Sequence, residues 1–189
     1  KRRTLIEIVK KVAEVLDIPF TVGGGIRNID DAHAILRNGA DKISINTIAV
    51  ENPYIITELA EKYGRKSVVV AIDAKRSNKT TSGFEVYTHS GKKAQGIDAI
   101  KWAIKVEELG AGEILLTSID RDGTKLGYDL ELISSVTSHV NIPVIASGGV
   151  GSLEHIYQAL TKANADAALA ASIFHLSLIH ISEPTRLGM

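Results

Sequence analysis

The apolar run Ser67-Val68-Val69-Val70-Ala71-Ile72 ends on an ionisable residue, Asp73, followed by Ala74-Lys75-Arg76. The run is too short for a membrane span or a typical helix and is rich in β-branched residues, so it reads as a strand buried on both faces. A carboxylate inside such a strand would be expensive. One at the carboxyl end of a parallel strand opens onto the crevice where α/β proteins bind ligands. Asp73 is therefore a candidate ligand-facing acid; a charge that only marks the strand terminus is the alternative.

Two further groups of residues suit an anion. Gly23-Gly24-Gly25 closes the apolar segment 18–22, and Gly148-Gly149 closes the segment 143–147. Glycines let backbone amides approach an anion closely, and N–H groups at a helix start favour phosphate. Asn46 and Thr47 lie just beyond the next strand after the first group; Ser172 holds the matching place after the second, with Ser147 beside Gly148. Asp122-Gly123-Thr124 ends the strand adjacent to Ser147, where its amides could join the second set. A tight turn explains any single Gly-Gly pair, and an Asp-Gly turn explains Asp122-Gly123. Duplication at symmetric places, with polar neighbours each time, favours two phosphate sites.

These residues must be positioned by alternating strands and helices. Leu5, Ile8, Val9, Val12, Val15 and Leu16 recur at helical spacing, which predicts a helix over 3–16. A strand follows at 18–22, then a helix with Asp30 and Asp31 at its N-cap and Gly39 at its C-cap, then a strand at 42–46. A helix over 53–63 leads into the strand that ends on Asp73. Residues 77–83 are polar and loop-like; Phe84-Glu85-Val86-Tyr87-Thr88 and the turn Ser90-Gly91-Lys92-Lys93 read as a small hairpin inserted into a βα loop. The alternation resumes with a helix from 99 to 109, a strand at 113–119, a helix at 130–137, a strand at 143–147, a helix at 153–162 and a last strand at 167–171.

The chain also repeats itself. Ile18-Pro19-Phe20-Thr21-Val22-Gly23-Gly24-Gly25-Ile26 matches Ile142-Pro143-Val144-Ile145-Ala146-Ser147-Gly148-Gly149-Val150, and the match continues to Asn46-Thr47 against Ala171-Ser172. The unit is a βαβ element present twice. Two more strands lie between the copies, so equivalent strands are four apart, and in an eight-stranded parallel barrel such positions face each other across the mouth.

Composition bounds what the site can serve. The 189 residues are 44% hydrophobic and 23% charged, which suits one globular domain with a sizeable core. Lys+Arg and Asp+Glu are 22 each, so there is no charge footprint for nucleic acid or an anionic membrane. No apolar stretch approaches a transmembrane length, and the first residues do not form a secretory signal, so a cytoplasmic protein is expected. Cysteine is absent and the six His fall in no metal-ligand spacing, so neither thiolate chemistry nor a metal is expected.

Thr21-Val22-Gly23-Gly24-Gly25-Ile26, Ser44-Ile45-Asn46-Thr47, Ala71-Ile72-Asp73-Ala74-Lys75-Arg76, Thr117-Ser118-Ile119-Asp120-Arg121-Asp122-Gly123-Thr124 and Ala146-Ser147-Gly148-Gly149 closely resemble the cyclase subunits of imidazole glycerol phosphate synthase, of histidine biosynthesis. The likeness runs from Lys1 to about His175. It implies an α/β fold, a (β/α)8 TIM barrel, that takes ammonia and N1-(5-phosphoribulosyl)formimino-5-aminoimidazole-4-carboxamide ribonucleotide to imidazole glycerol phosphate and aminoimidazole carboxamide ribonucleotide, without metal or organic cofactor. Asp73 matches the family's catalytic aspartate, expected to donate a proton during ring formation. Gly25, Asn46 and Thr47 match one phosphate site, and Asp122, Gly123, Ser147, Gly148, Gly149 and Ser172 the other. The loop through Ser90 and Gly91 resembles one that closes over substrate. Ammonia is expected from a glutaminase subunit docked at the amino-terminal face, with Lys42 and Glu113 matching charged residues of a gate there and Asp41 a docking contact.

The resemblance also sets an expectation of incompleteness. A whole barrel needs about 250 residues, and the strands read here number six of eight, the first two being the missing ones. Those would carry a partner catalytic aspartate, and losing one of two proton-transfer groups typically costs about 10²–10⁴-fold, so this chain is expected to be inactive or nearly so. Residues 1–175 are expected to form the partial barrel, with unpaired edges. Residues 176–189 match no final helix and read as a non-native tail. The isomerase one step earlier in the pathway is a second reading, and a non-catalytic scaffold that binds phosphorylated ligands or a partner subunit is a third.

Overall fold

In the computed structural model, residues 2–175 are described. In chain order they form α1 (Arg2–Ala13), β1 (Thr21–Gly23), α2 (Ile29–Arg37), β2 (Lys42–Ile45), α3 (Thr47–Glu51), α4 (Tyr54–Tyr63), a 3-10 turn (Arg65–Ser67), β3 (Val68–Arg76), β4 (Phe84–Thr88), β5 (Lys93–Asp98), α5 (Ala99–Glu108), β6 (Glu113–Ser118), α6 (Leu130–Thr137), β7 (Val144–Ser147), α7 (Leu153–Lys162), β8 (Ala167–Ala168) and α8 (Ser172–His175). The strands β1, β2, β3, β6, β7 and β8 pair in that order, each parallel to the next. This is an α/β fold whose parallel strands run in sequence order, the arrangement of part of a (β/α) barrel. The expected tail, 176–189, lies outside the described residues.

Alternation along the strands sets the layers. Ile43, Ile45, Val70, Ile72, Ile114, Leu116, Val144 and Ala146 are buried, whereas the residues between them on β2 and β6 are only half-buried. The buried set belongs to one core with Ile55, Ile56 and Leu59 of α4, Trp102, Ala103 and Val106 of α5, and Leu132, Ile133 and Val136 of α6. Full burial of each large side chain contributes about 1.5–3 kcal/mol. β3 was expected to be buried on both faces; only Val68, Val69 and Val70 are, and beyond them the strand alternates, because Ala71 and Asp73 face a cavity.

The hairpin explains how β3 continues past its neighbour. β2 pairs with β3 only as far as Ile45 against Val70. From Asp73 onward that edge is taken by β4, antiparallel, with Asp73 opposite Tyr87 and Arg76 opposite Phe84. The other edge stays with β6 through Ala74 opposite Ser118. β5 is the second arm of the expected hairpin; Glu85, 3% exposed, accepts the Ser77 hydroxyl (2.9 Å) and the Gly96 N–H (2.8 Å).

Several boundaries differ from the sequence expectation, each for a local reason. The cap of α2 is Asn28, not Asp30 or Asp31: its side chain accepts the Asp31 N–H at 2.8 Å, while Asp31 accepts the N–H of Arg27, the residue before the cap, at 3.0 Å. The C-cap is Asn38; Gly39 follows at φ +106, where a Cβ would sit 2.6 Å from that of Ala13. α1 stops at Ala13 rather than 16, and β1 begins at Thr21 rather than 18. β2, β6 and β8 end one to three residues early, at Ile45, Ser118 and Ala168, and β7 begins at Val144. The short α3, directly after Asn46, carries no periodic signal because it spans only five residues.

Candidate functional site

The carboxyl ends of the strands hold two cavities. The larger, about 790 Å³, is lined by Gly25, Asn46, Thr47, Asp73 and Ser90, all singled out from sequence. Gly24 (φ +88) and Gly25 (φ +71) form its turn in the left-handed region, and a Cβ on either would meet nothing within 4 Å. The backbone there is bare, as a closely approaching anion requires. The smaller cavity, about 60 Å³, is lined by Asp122, Gly123, Ser147, Gly148, Gly149 and Ser172, again the set read from sequence. β1 and β7, which lead into the two glycine turns, stand four apart in the parallel order.

The second glycine pair does a different job from the first. A Cβ on Gly148 would lie 2.8 Å from the Ser118 carbonyl, and one on Gly149 would lie 2.4 Å from that of Gly127. The Gly127 N–H donates to the Gly149 carbonyl at 2.7 Å. Gly148 and Gly149 thus let the turn after β7 pack directly on the loop after β6, which brings Asp122 and Gly123 beside Ser147. Tyr128 ties the same loop to the segment just after β8: it is 4% exposed and its hydroxyl donates to the Leu169 carbonyl at 2.8 Å, while burial pushes its phenol pKa up to about 12.

Asp73 lines the larger cavity from β3, the strand midway between β1 and β7 in the parallel order. On the ladder it is level with Thr117 of β6, which is level with Ser147 of β7. Its Oδ2 accepts a hydrogen bond from the Asn46 side-chain amide at 2.9 Å. Burial raises the carboxyl above its ordinary value near 3.8, the Asn46 donor opposes that rise, and the negative charge of Asp122 adds to it. A carboxyl so placed holds a proton more tightly than one in water, which suits proton donation. Asn46, read from sequence as a phosphate residue, here contacts the acid, and its buried Oδ1 has no partner among the described residues. The Thr47 hydroxyl oxygen accepts the His89 N–H at 3.0 Å, which lays the tip of the β4–β5 hairpin across the larger cavity.

Arg27, Glu51 and His89 line the larger cavity and Lys125 the smaller one. The sequence reading missed all four. Arg27 and Lys125 each stand two residues beyond a glycine that was identified, and His89 directly precedes the Ser90-Gly91 turn, so proximity to those turns was the available signal.

At the opposite end of the strands, Lys42 and Glu113, the first residues of β2 and β6, form a half-buried ion pair. Asp41 beside them accepts the Phe20 N–H at 2.9 Å, so it also fastens the chain entering β1. Among the described residues no group of three His, Cys, Asp or Glu side chains is placed to hold a metal ion. No helix among them is long and apolar enough to cross a membrane.

Residues 1–180 match the family described as histidine biosynthesis protein. The chain is 60% identical over 185 residues to imidazole glycerol phosphate synthase subunit HisF of Sulfurisphaera tokodaii, which covers 98% of this chain and 72% of that one. It is 58% identical over 183 residues to the subunit of the same name from Dehalococcoides mccartyi, covering 97% and 71%. With that of Saccharolobus solfataricus the identity is 58% over 182 residues, covering 96% and 71%.

Proposed function

The chain belongs to the histidine biosynthesis protein family, as a cyclase subunit of imidazole glycerol phosphate synthase, a lyase, and on that premise we propose how its residues divide the work. The substrate, N1-(5-phosphoribulosyl)formimino-5-aminoimidazole-4-carboxamide ribonucleotide, lies across the strand ends with one phosphate at Gly25, Asn46 and Thr47. Its other phosphate sits at Asp122, Gly123, Ser147, Gly148, Gly149 and Ser172. Asp73, between them, donates a proton as ammonia closes the imidazole ring and the aminoimidazole carboxamide ribonucleotide leaves. The hairpin tip at Ser90 and Gly91 covers the reacting centre and excludes water. The observation that carries this reading is the Asp73 carboxyl, its pKa raised by burial, lining the larger of two glycine-turn cavities at the strand ends.

The same reading places a glutaminase subunit at the far end of the strands, as the source of ammonia. The Lys42–Glu113 pair stands where ammonia would enter, and Asp41 is beside it. A cytoplasmic heterodimer acting within a (β/α)8 barrel completes the proposal. The test, on a chain extended to the full length of the relatives above, is turnover with ammonium salts, read alongside amide shifts on substrate titration. Asp73→Asn is expected to lower turnover by about 10²–10⁴-fold while Gly25 and Gly149 still shift together at one substrate per chain. Full turnover in that variant, or a substrate that shifts one glycine and leaves the other, refutes the assignment.

A further inference from the structure

Arg76 lies three residues beyond Asp73 on β3, so its side chain projects from the opposite face of the strand. Its backbone N–H donates to Asp120 Oδ2 at 2.8 Å, and its guanidinium donates to Asp129 at 3.1 and 3.3 Å and to Glu131 at 2.9 Å. Asp120 and Asp129 stand at the two ends of the loop between β6 and α6. One residue therefore grips both ends of the loop that carries Asp122 and Gly123. The contact with Glu131 is a surface pair, the two side chains being 49% and 67% exposed, but the contact with Asp129 is buried on the acid's side. The Asp129 side chain is 2% exposed, accepts the Leu132 N–H at 3.2 Å as the cap of α6, and accepts the Ser118 hydroxyl at 3.4 Å. The guanidinium carbon also lies 4.9 Å from the centre of the Phe84 ring, at the base of the hairpin whose tip covers the larger cavity.

Of the other fastenings of this loop, one returns to β3, at the loop's first residue, and the rest lead to other segments. Gly127 and Tyr128 tie it to the segments after β7 and β8, and the Ile119 N–H donates to the Ala74 carbonyl at 2.9 Å. Within the loop the Arg121 and Asp122 N–H groups donate to the Ser118 carbonyl at 3.2 and 2.9 Å and the Thr124 N–H to that of Arg121 at 3.0 Å, so it holds local turns of its own; residues 122–126 are nevertheless exposed, and what remains to be fixed is where those turns sit relative to β3. We infer that Arg76 is a positioning residue, which fixes the second anion cavity at its working distance from Asp73 by clamping the β6–α6 loop to the strand that carries the acid. This rests on the anion reading of the two cavities. Nη2 alone makes the contacts to Asp129 and Glu131, held in the rigid guanidinium plane; a lysine keeps the charge but carries its ammonium on a flexible stem without that plane.

The experiment uses the isotopically labelled 189-residue chain, titrated with inorganic phosphate, with Arg76→Lys, Arg76→Met and Glu131→Gln as variants. Amide shifts report each cavity separately, Gly25 and Thr47 for one, Gly123 and Gly149 for the other. Arg76→Lys is expected to weaken phosphate at Gly123 and Gly149 about tenfold, to leave Gly25 and Thr47 within twofold, and to speed amide hydrogen exchange across 120–128. Arg76→Met exceeds it, and Glu131→Gln, which keeps an acceptor, stays near wild type. Equal weakening at both cavities marks a merely structural residue and overturns the proposal, as does unchanged affinity in Arg76→Lys. Exchange needs no ligand, so unchanged exchange at 120–128 overturns the clamp alone. A wild-type chain in which phosphate moves neither set overturns the anion reading and the proposal with it.

Discussion

Replacing Asp73 by Asn should stabilise the chain, and should do so only at pH values where the acid is ionised. In the fold the Asp73 carboxyl is half-buried, has one donor in Asn46, and feels the negative charge of Asp122, so its pKa lies above the ordinary 3.8. For a group whose folded value is raised, the favourable contribution is fully present below the unfolded value and is lost as pH rises through the folded one. The introduced amide would keep the 2.9 Å hydrogen bond by turning its carbonyl toward the Asn46 side chain, while removing the charge. Because the carboxylate still faces a solvent-filled cavity, the gain is screened, and about 0.5–1 kcal/mol is the expected size. For a chain of this length that is a rise in Tm of roughly 1–4 °C. The assay is thermal unfolding of both proteins by circular dichroism across a pH series from below 4 to 8. The difference should vanish at the acid end and reach its full value at the other. A variant less stable than wild type at pH 8, or a gain independent of pH, refutes the electrostatic account of this carboxyl.

The two glycine turns should respond differently to the same change. Gly149→Ala, with its Cβ 2.4 Å from the Gly127 carbonyl and φ at +100, should cost more than the ~1–2 kcal/mol of left-handed strain expected for Gly25→Ala, which meets no neighbour; denaturant midpoints of the two variants decide it. Asp98 accepts the N–H groups of Ser82, Ile100 and Lys101, at 2.7, 3.0 and 3.2 Å. Burial alone would raise its pKa, but these donors and the Ser82 hydroxyl overcome it and hold the carboxyl below 3.8. Its contribution is therefore present above 3.8 and lost as pH falls through the folded value, and Asp98→Ala should cost about 0.5–2 kcal/mol at pH 7, with less difference from wild type in acid. A double-mutant cycle on Lys42→Met and Glu113→Gln should give a coupling on the order of 1 kcal/mol that shrinks in high salt, since both side chains keep some exposure; a coupling insensitive to salt would contradict that.

The alternation of elements was legible because most strands and helices here carry their own periodicity, as in residues 99–109 and 113–118. The repeated glycine turns and the acid between them were legible for the same reason, since one pattern occurs at both places. The unlike roles of those turns were not. Gly24-Gly25 and Gly148-Gly149 look alike in sequence, and only the approach of the Gly127 and Ser118 carbonyls shows that the second pair serves packing. The cap of α2 was misplaced because Asn28, Asp30 and Asp31 all suit an N-cap, and the choice depends on which side chain reaches a free N–H. The pairing of Asn46 with Asp73 joins residues 27 apart, and the clamp of Arg76 on Asp129 joins residues 53 apart; no local pattern encodes either.

The exchange of neighbours along β3 has a consequence for redesign. At residue 73 the main chain is laddered on both sides, to Tyr87 and to Thr117, so the peptide there is held as firmly as any in the sheet even though the side chain looks into open space. A different reactive group installed at that position would inherit the same bearing, because neither flank can relax to accommodate it. An amine, a thiol or an unnatural nucleophile could be exchanged in turn, and differences in what they catalyse would then reflect chemistry rather than drift of the scaffold.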